Sequence, residues 1–146
     1  MVWLAMALPG FAQTPDPAAI RGRFAGTVSQ KGVRAFKDQT FSYTLDLHIT
    51  QLLEHEVSGT FWIPEVGCRG EIIFLHLEGG LFRFIGEPVK GSPKDCIAGV
   101  FTLKPVAGDK VEYAATFATP TNPRHPSLAG TLHRLLSLER REHVEQ

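Results

Sequence analysis

Six histidines (His48, His55, His76, His125, His133 and His143) are the side chains of this 146-residue chain with the most capacity for chemistry. A metal site needs three or four such ligands converging on one point. The densest stretch is Glu54-His55-Glu56. Adjacent residues of a strand point to opposite faces, so these ligands diverge. Charge beside the turn between Gln51 and Val57 also reads as solvated surface. His48 and Asp46 share a face by period-two spacing and read as a solvated pair in the same way. No metal ligand is assigned. Gly-x-Ser-x-Gly, His-Glu-x-x-His and the phosphate-loop pattern are all absent, so no catalytic residue and no cofactor is assigned either.

Two residues remain as candidate ligand contacts, His76 and Trp62. Parity carried from Gly70 through Ile72 and Phe74 brings His76 and Glu78 to an inward face, close to the Gly79-Gly80 turn. Ile73, Leu75 and Leu77 make the opposite face apolar too, so a register change in this segment would turn His76 outward. Trp62 stands just before Pro64, at a strand end. A large amphipathic ring at a rim suits binding, because its face is apolar while one edge stays wet. The expected site lies at one end of the domain, with His76 and Trp62 among its contacts and a small apolar ligand or a protein as the partner. The competing reading is that both residues cap the core.

The chain has only two cysteines, Cys68 and Cys96. Neither has a Cys or His at ligand spacing, which argues against a two-cysteine metal site. An even count in an exported chain points to a disulfide. It would close a loop of about 29 residues, worth about 3–4 kcal/mol in the chain-entropy model. In a cytosolic chain, two buried thiols would be the reading instead.

Export itself is read from residues 1–12. Val2 to Leu8 is an uncharged apolar run, Pro9-Gly10 breaks it, and Gly10-Phe11-Ala12 places small residues for cleavage before Gln13. No Lys or Arg precedes the run, which a start placed too far downstream would explain. The expectation is a secreted or periplasmic protein whose mature chain begins near Gln13. The apolar run is too short to span a bilayer, and no later stretch is long enough, so no integral membrane span is expected.

What must position these residues is a set of short strands. Phe41, Tyr43, Leu45, Leu47 and Ile49 alternate with Ser42, Thr44, Asp46 and His48, the pattern of a strand with one buried and one wet face. Val111, Tyr113, Ala115 and Phe117 repeat it. The spacing of turn residues predicts eight strands, near 22–29, 40–51, 56–63, 68–77, 81–87, 96–104, 110–118 and 127–134. Gly79-Gly80 marks a tight hairpin. Pro64 to Gly67 and Ala107 to Lys110 mark further turns, and Pro88 to Asp95 and Thr119 to Ser127 mark longer loops. The chain divides into a signal (1–12), an extended leader (13–21), one β domain (22–134) and a charged C-terminal tail (135–146).

One pattern recurs, apolar-x-Gly-x-apolar. It stands at Phe24–Val28, Val57–Phe61, Ile97–Phe101 and Leu128–Leu132, and more loosely at Cys68–Ile72. Period-two spacing puts each glycine on the face of its apolar neighbours. A mid-strand glycine weakens a strand, so the repetition calls for a reason. Inward glycines let a sheet coil and close on itself. The fold class predicted is all-β, a single antiparallel domain, with an up-and-down barrel favoured over a two-sheet sandwich. In strand rhythm, residues 22–134 resemble the small exported barrels of the avidin and lipocalin type. That resemblance implies the barrel shape. It does not bring a ligand, since Gly26 is followed by Thr27-Val28 rather than by the lipocalin Gly-x-Trp start, and Trp62 is the only tryptophan after residue 12.

Fifteen basic residues balance fifteen acidic ones, with no run of like charge long enough to hold nucleic acid. Three functions follow from this reading. The first is a binding module with an open end or rim loops. The second is a structural or interaction protein of the cell envelope, marked by apolar surface on the outside of the strand at 71–77. The third, a hydrolase or metal enzyme, would need histidines and a carboxylate to converge.

Overall fold

The computed structural model of the protein describes residues 15–31, 40–93, 96, 99–116 and 127–135. Eight strands form one closed antiparallel barrel in which each strand pairs with the next and the last returns to the first. They are β1 (Gly22–Lys31), β2 (Thr40–Ile49), β3 (Val57–Ile63), β4 (Cys68–Glu78), β5 (Leu81–Pro88), β6 (Gly99–Val106), β7 (Lys110–Thr116) and β8 (Ser127–Arg134). The all-β, up-and-down barrel predicted from the glycine pattern is the observed architecture. The expected signal at 1–12, Phe117, the loop at 119–126 and the tail beyond Leu135 lie outside the described residues.

Turn chemistry accounts for the connections. Gly79 and Gly80 both take positive φ, +59° and +79°, as a two-residue hairpin of the twist-compatible kind requires. Pro64–Val66 forms a single 3₁₀ turn that ends on Gly67 in the left-handed region. The Glu65 carboxylate on this turn accepts a 2.8 Å hydrogen bond from the Thr44 N–H, where β2 runs on past the end of β3. Hydrogen bonding from Thr44 holds that carboxyl below its ordinary range.

The glycines explain how the sheet closes. Gly26 stands opposite Leu132 and Gly130 opposite Val28 in the β1–β8 pairing. A Cβ on Gly26 would run into the Thr131 carbonyl oxygen, and one on Gly130 into the Thr27 carbonyl oxygen. Gly59 and Gly70 are equally tight against His48 and Glu87 backbone. The backbones of neighbouring strands cross too closely at these points for any side chain. Gly99 keeps the parity of buried Phe101 and Leu103 and faces Gly86 across the β5–β6 pair.

The interior is filled. Phe24, Val28, Leu45, Leu47, Ile49, Ile72, Phe82, Phe84, Leu103, Val111 and Leu132 are each at most 2% exposed. Across β4 to β7 an aromatic ladder runs through the middle. Phe74 to Phe84 is 5.4 Å between centroids, Phe84 to Phe101 5.2 Å and nearly parallel, and Phe101 to Tyr113 5.2 Å. Spacings of this kind give aromatic pairs a contribution beyond area burial. Burial pushes the Tyr113 phenol above its ordinary range. A folded-state pKa above the unfolded one means a contribution that is whole below about pH 10 and fades as pH rises from there. Urea unfolding should therefore show stability falling from about pH 10 upward, and Tyr113→Phe should flatten that decline. An identical decline in the variant would assign it elsewhere.

The leader differs from its expectation. Residues 15–21 are not an extended tether. The Asp16 side chain accepts from the Ala18 N–H and opens a 3₁₀ turn at Pro17–Ala19, with proline at its start. Ile20 then enters the core and is fully buried. Arg134 fastens the turn. Its guanidinium donates to the carbonyl oxygens of Ala18, Ala19 and Arg21, pairs with Asp109 at 3.3 Å, and lies 4.7 Å over the Phe24 ring. The barrel end at the start of β1 is thereby stopped by an apolar plug.

Cys68 and Cys96 are bonded, with Cα atoms 5.4 Å apart. The bond ties the segment after β5 to the first residue of β4. Among the described residues, no helix is long and apolar enough to cross a membrane.

Candidate functional site

Trp62 and His76 are the two residues that the sequence offers as ligand contacts, and the fold separates them. Trp62 stands next to the last residue of β3, and His76 lies seven residues beyond Arg69, the cross-strand neighbour of Trp62 on β4. At about 3.3 Å per strand residue the separation is roughly 20 Å, toward opposite ends of the barrel. One small ligand does not reach both.

His76 also departs from the inward parity expected of it, at an identifiable place. Ile72 and Phe74 point inward as expected. The β4–β5 register then shifts between Phe74 and His76: Phe74 faces Phe84, while His76 faces Arg83. Leu75 is the extra residue of a β-bulge, and one extra residue reverses every side chain beyond it. Leu77 turns in and packs on the core, and His76 turns out. Its Nε2 lies 2.9 Å from Glu78 Oε2, and its side chain is 44% exposed. The bulge faces the β2–β3 loop. Phe74 accepts from the His55 N–H at 2.7 Å, and its own N–H reaches Glu56 O and Ser58 Oγ. Glu54, His55 and Glu56 are exposed on that loop, and His55 has a left-handed backbone. Among the described residues, no three His, Cys, Asp or Glu side chains are grouped closely enough to hold a metal ion.

Trp62 sits in different surroundings. Its side chain points outward and is 41% exposed, which is unusual for so large an apolar group. The register places it between Asp46 on β2 and Arg69 on β4. The next outward row is Arg23, His48, Thr60 and Glu71, on β1 to β4 in turn. These side chains, with Val89, line an open groove of 630 Å³ on the outer wall. Val89 is held beside Arg69 by a 3.0 Å hydrogen bond from its N–H to the Arg69 carbonyl oxygen. Thus the segment after β5 forms one rim, close to where the disulfide anchors it.

The polar groups of the groove divide into a fixed half and an open half. Arg23 grips Asp46 through two parallel hydrogen bonds, Nε to Oδ1 at 3.3 Å and Nη2 to Oδ2 at 3.2 Å. On the other side of Trp62, Arg69 and Glu71 are in no ion pair among the described residues. The groove therefore offers guanidinium donors, carboxylate acceptors, an imidazole and a hydroxyl around one indole face. The sequence alone points to Trp62 and puts Asp46 and His48 on one face. Nothing in it brings Arg23, Arg69 and Glu71 to them, because β pairing does that.

A second outward feature is apolar. Val57, Ile73, Ile85 and Val100 are consecutive cross-strand partners over β3 to β6. Val57 is 43% and Val100 37% exposed, with Ile73 and Ile85 half-buried between them. No family model, curated protein or solved structure matches the chain.

Proposed function

We propose that the chain is an exported binding module that recognises its partner on the outer wall of the barrel, at the groove around Trp62. The observation that carries this reading is the pairing of a filled interior with an outward, half-exposed tryptophan in a 630 Å³ groove. Among the described residues, the barrel axis is packed with the Phe74–Tyr113 ladder and the end at the start of β1 is stopped by Ile20, which favours a site on the wall over one inside. Tryptophan and arginine side by side are the residue types that dominate binding energy at recognition surfaces. The groove also has the volume of an ordinary ligand site. Export is supported by the Cys68–Cys96 pair, since disulfides persist in oxidising compartments. The balanced net charge argues for a partner other than nucleic acid.

The test is amide shift mapping of the full chain against a mixed set of small molecules, peptides and oligosaccharides. The amides that move should cluster at Arg23, Asp46, His48, Thr60, Trp62 and Arg69, while those of Leu103 and Leu132 stay still. Shifts centred on the inward residues would overturn the reading. A second reading, an interaction protein of the cell envelope, is favoured by the apolar row Val57–Ile73–Ile85–Val100. It predicts shifts on β3 to β6 instead.

A further inference from the structure

We infer that the groove takes a neutral carbohydrate, with one sugar ring laid on the Trp62 indole. This rests on the outer-wall reading above and narrows it to one ligand chemistry. Charge balance and the kinds of group present point to this class. One guanidinium and one carboxylate stand on each side of the indole, Arg23 with Asp46 on β1 and β2 and Arg69 with Glu71 on β4. An anionic ligand would meet the carboxylates, and a cationic one the guanidinium groups, so neither sign gains a net field. Charged side chains in matched numbers instead supply strong donors and strong acceptors at once.

A sugar ring is built for that set. Each hydroxyl both donates and accepts, and adjacent hydroxyls match the two-pronged geometry of a guanidinium or a carboxylate. The axial C–H groups make one face of the ring apolar, and a flat indole covers such a face. Trp62 presents that surface on the pleated wall of a sheet, held by neighbours on both sides. The Arg23–Asp46 pair is already locked in place, so those two side chains have little freedom left to lose on binding. Arg69 and Glu71, outside any ion pair among the described residues, can spend their hydrogen bonds on ligand. A wholly apolar ligand would strip water from Arg69 and Glu71 and leave both without partners, which is unfavourable.

The experiment uses the labelled full chain on an array of neutral and acidic oligosaccharides, beside an array of peptides. A retained oligosaccharide is then titrated while the Trp62 indole Nε1–H resonance is followed; the resonance is identified by its loss in Trp62→Phe. Retention of neutral oligosaccharides is expected, with a saturable shift of that resonance. Trp62→Ala should abolish retention, and Arg69→Ala should weaken it at least about tenfold, the scale of a lost charge-assisted hydrogen bond. Both variants should melt within a few degrees of the parent, since the two side chains are exposed. Retention confined to acidic oligosaccharides, or undiminished in Trp62→Ala, would overturn the inference. Peptides that move the Trp62 resonance, with no oligosaccharide doing so, would overturn the carbohydrate class and leave the outer-wall site standing. Ligands that move only inward residues would overturn both.

Discussion

Gly130→Val should destabilise the barrel by about 3 kcal/mol or more, at the upper end of what overpacking costs. For a domain of this size that is a fall in Tm of roughly 10 °C. The reason is what the new side chain meets. Its Cβ would overlap the Thr27 carbonyl oxygen and come within 3.0 Å of the Val28 Cα. Backbone in the middle of a hydrogen-bonded strand cannot swing aside as a flexible side chain can, so β1 and β8 must part. They are the pair that closes the barrel, and the only relief is to loosen the seam. Gly26→Val should do the same from the other strand, against Thr131 and Leu132. Gly86→Ala is the control. Its Cβ would find Phe61 and Phe101 ring atoms at 3.5 and 3.8 Å, ordinary contact distances. That variant should melt within a degree or two of the parent. Thermal unfolding followed by circular dichroism separates the cases. If Gly130→Val melts with Gly86→Ala, the seam is not held by close backbone approach.

That seam is legible in the sequence. Phe24-Ala25-Gly26-Thr27-Val28 and Leu128-Ala129-Gly130-Thr131-Leu132 are near copies. Antiparallel pairing sets them face to face about Thr27 and Thr131, so the repeat in sequence is one contact in space. Most strand positions are legible for a similar reason, because glycine or proline marks most of the turns and β2 and β7 carry a clear alternation. Three features are not. The plug at residues 15–20 is too short to show a period, and its one apolar anchor, Ile20, means nothing without the barrel end it fills. The bulge at Leu75 lies in a strand apolar on both faces, where inserting one residue changes no visible pattern. That is why parity assigns His76 to the inside. The groove cannot be read because its members come from four strands and meet only through register.

Phe84→Ala should cost about 3–5 kcal/mol, the range for removing a buried phenyl ring. The ring is fully buried and sits between Phe74 and Phe101, with β4 and β6 hydrogen-bonded on either side of its strand. A helix can shift to fill a void, but a strand locked on both edges in a closed barrel cannot move in. The cavity should therefore survive, and the cost should fall in the upper half of the range. An apolar cavity that stays open and dry takes up small apolar molecules. Benzene should accordingly raise the Tm of Phe84→Ala and leave that of the parent unchanged. Guanidinium unfolding gives the stability loss, and a thermal melt with and without benzene gives the rescue. The result also bears on function. A loss under about 1 kcal/mol would mean a loosely filled interior. Room for a ligand along the axis would then exist, and the case for recognition on the outer wall would lose its main support. A full loss with rescue by benzene shows that the parent barrel becomes a container only when a ring is taken out, and it leaves the wall around Trp62 as the surface with space for a partner.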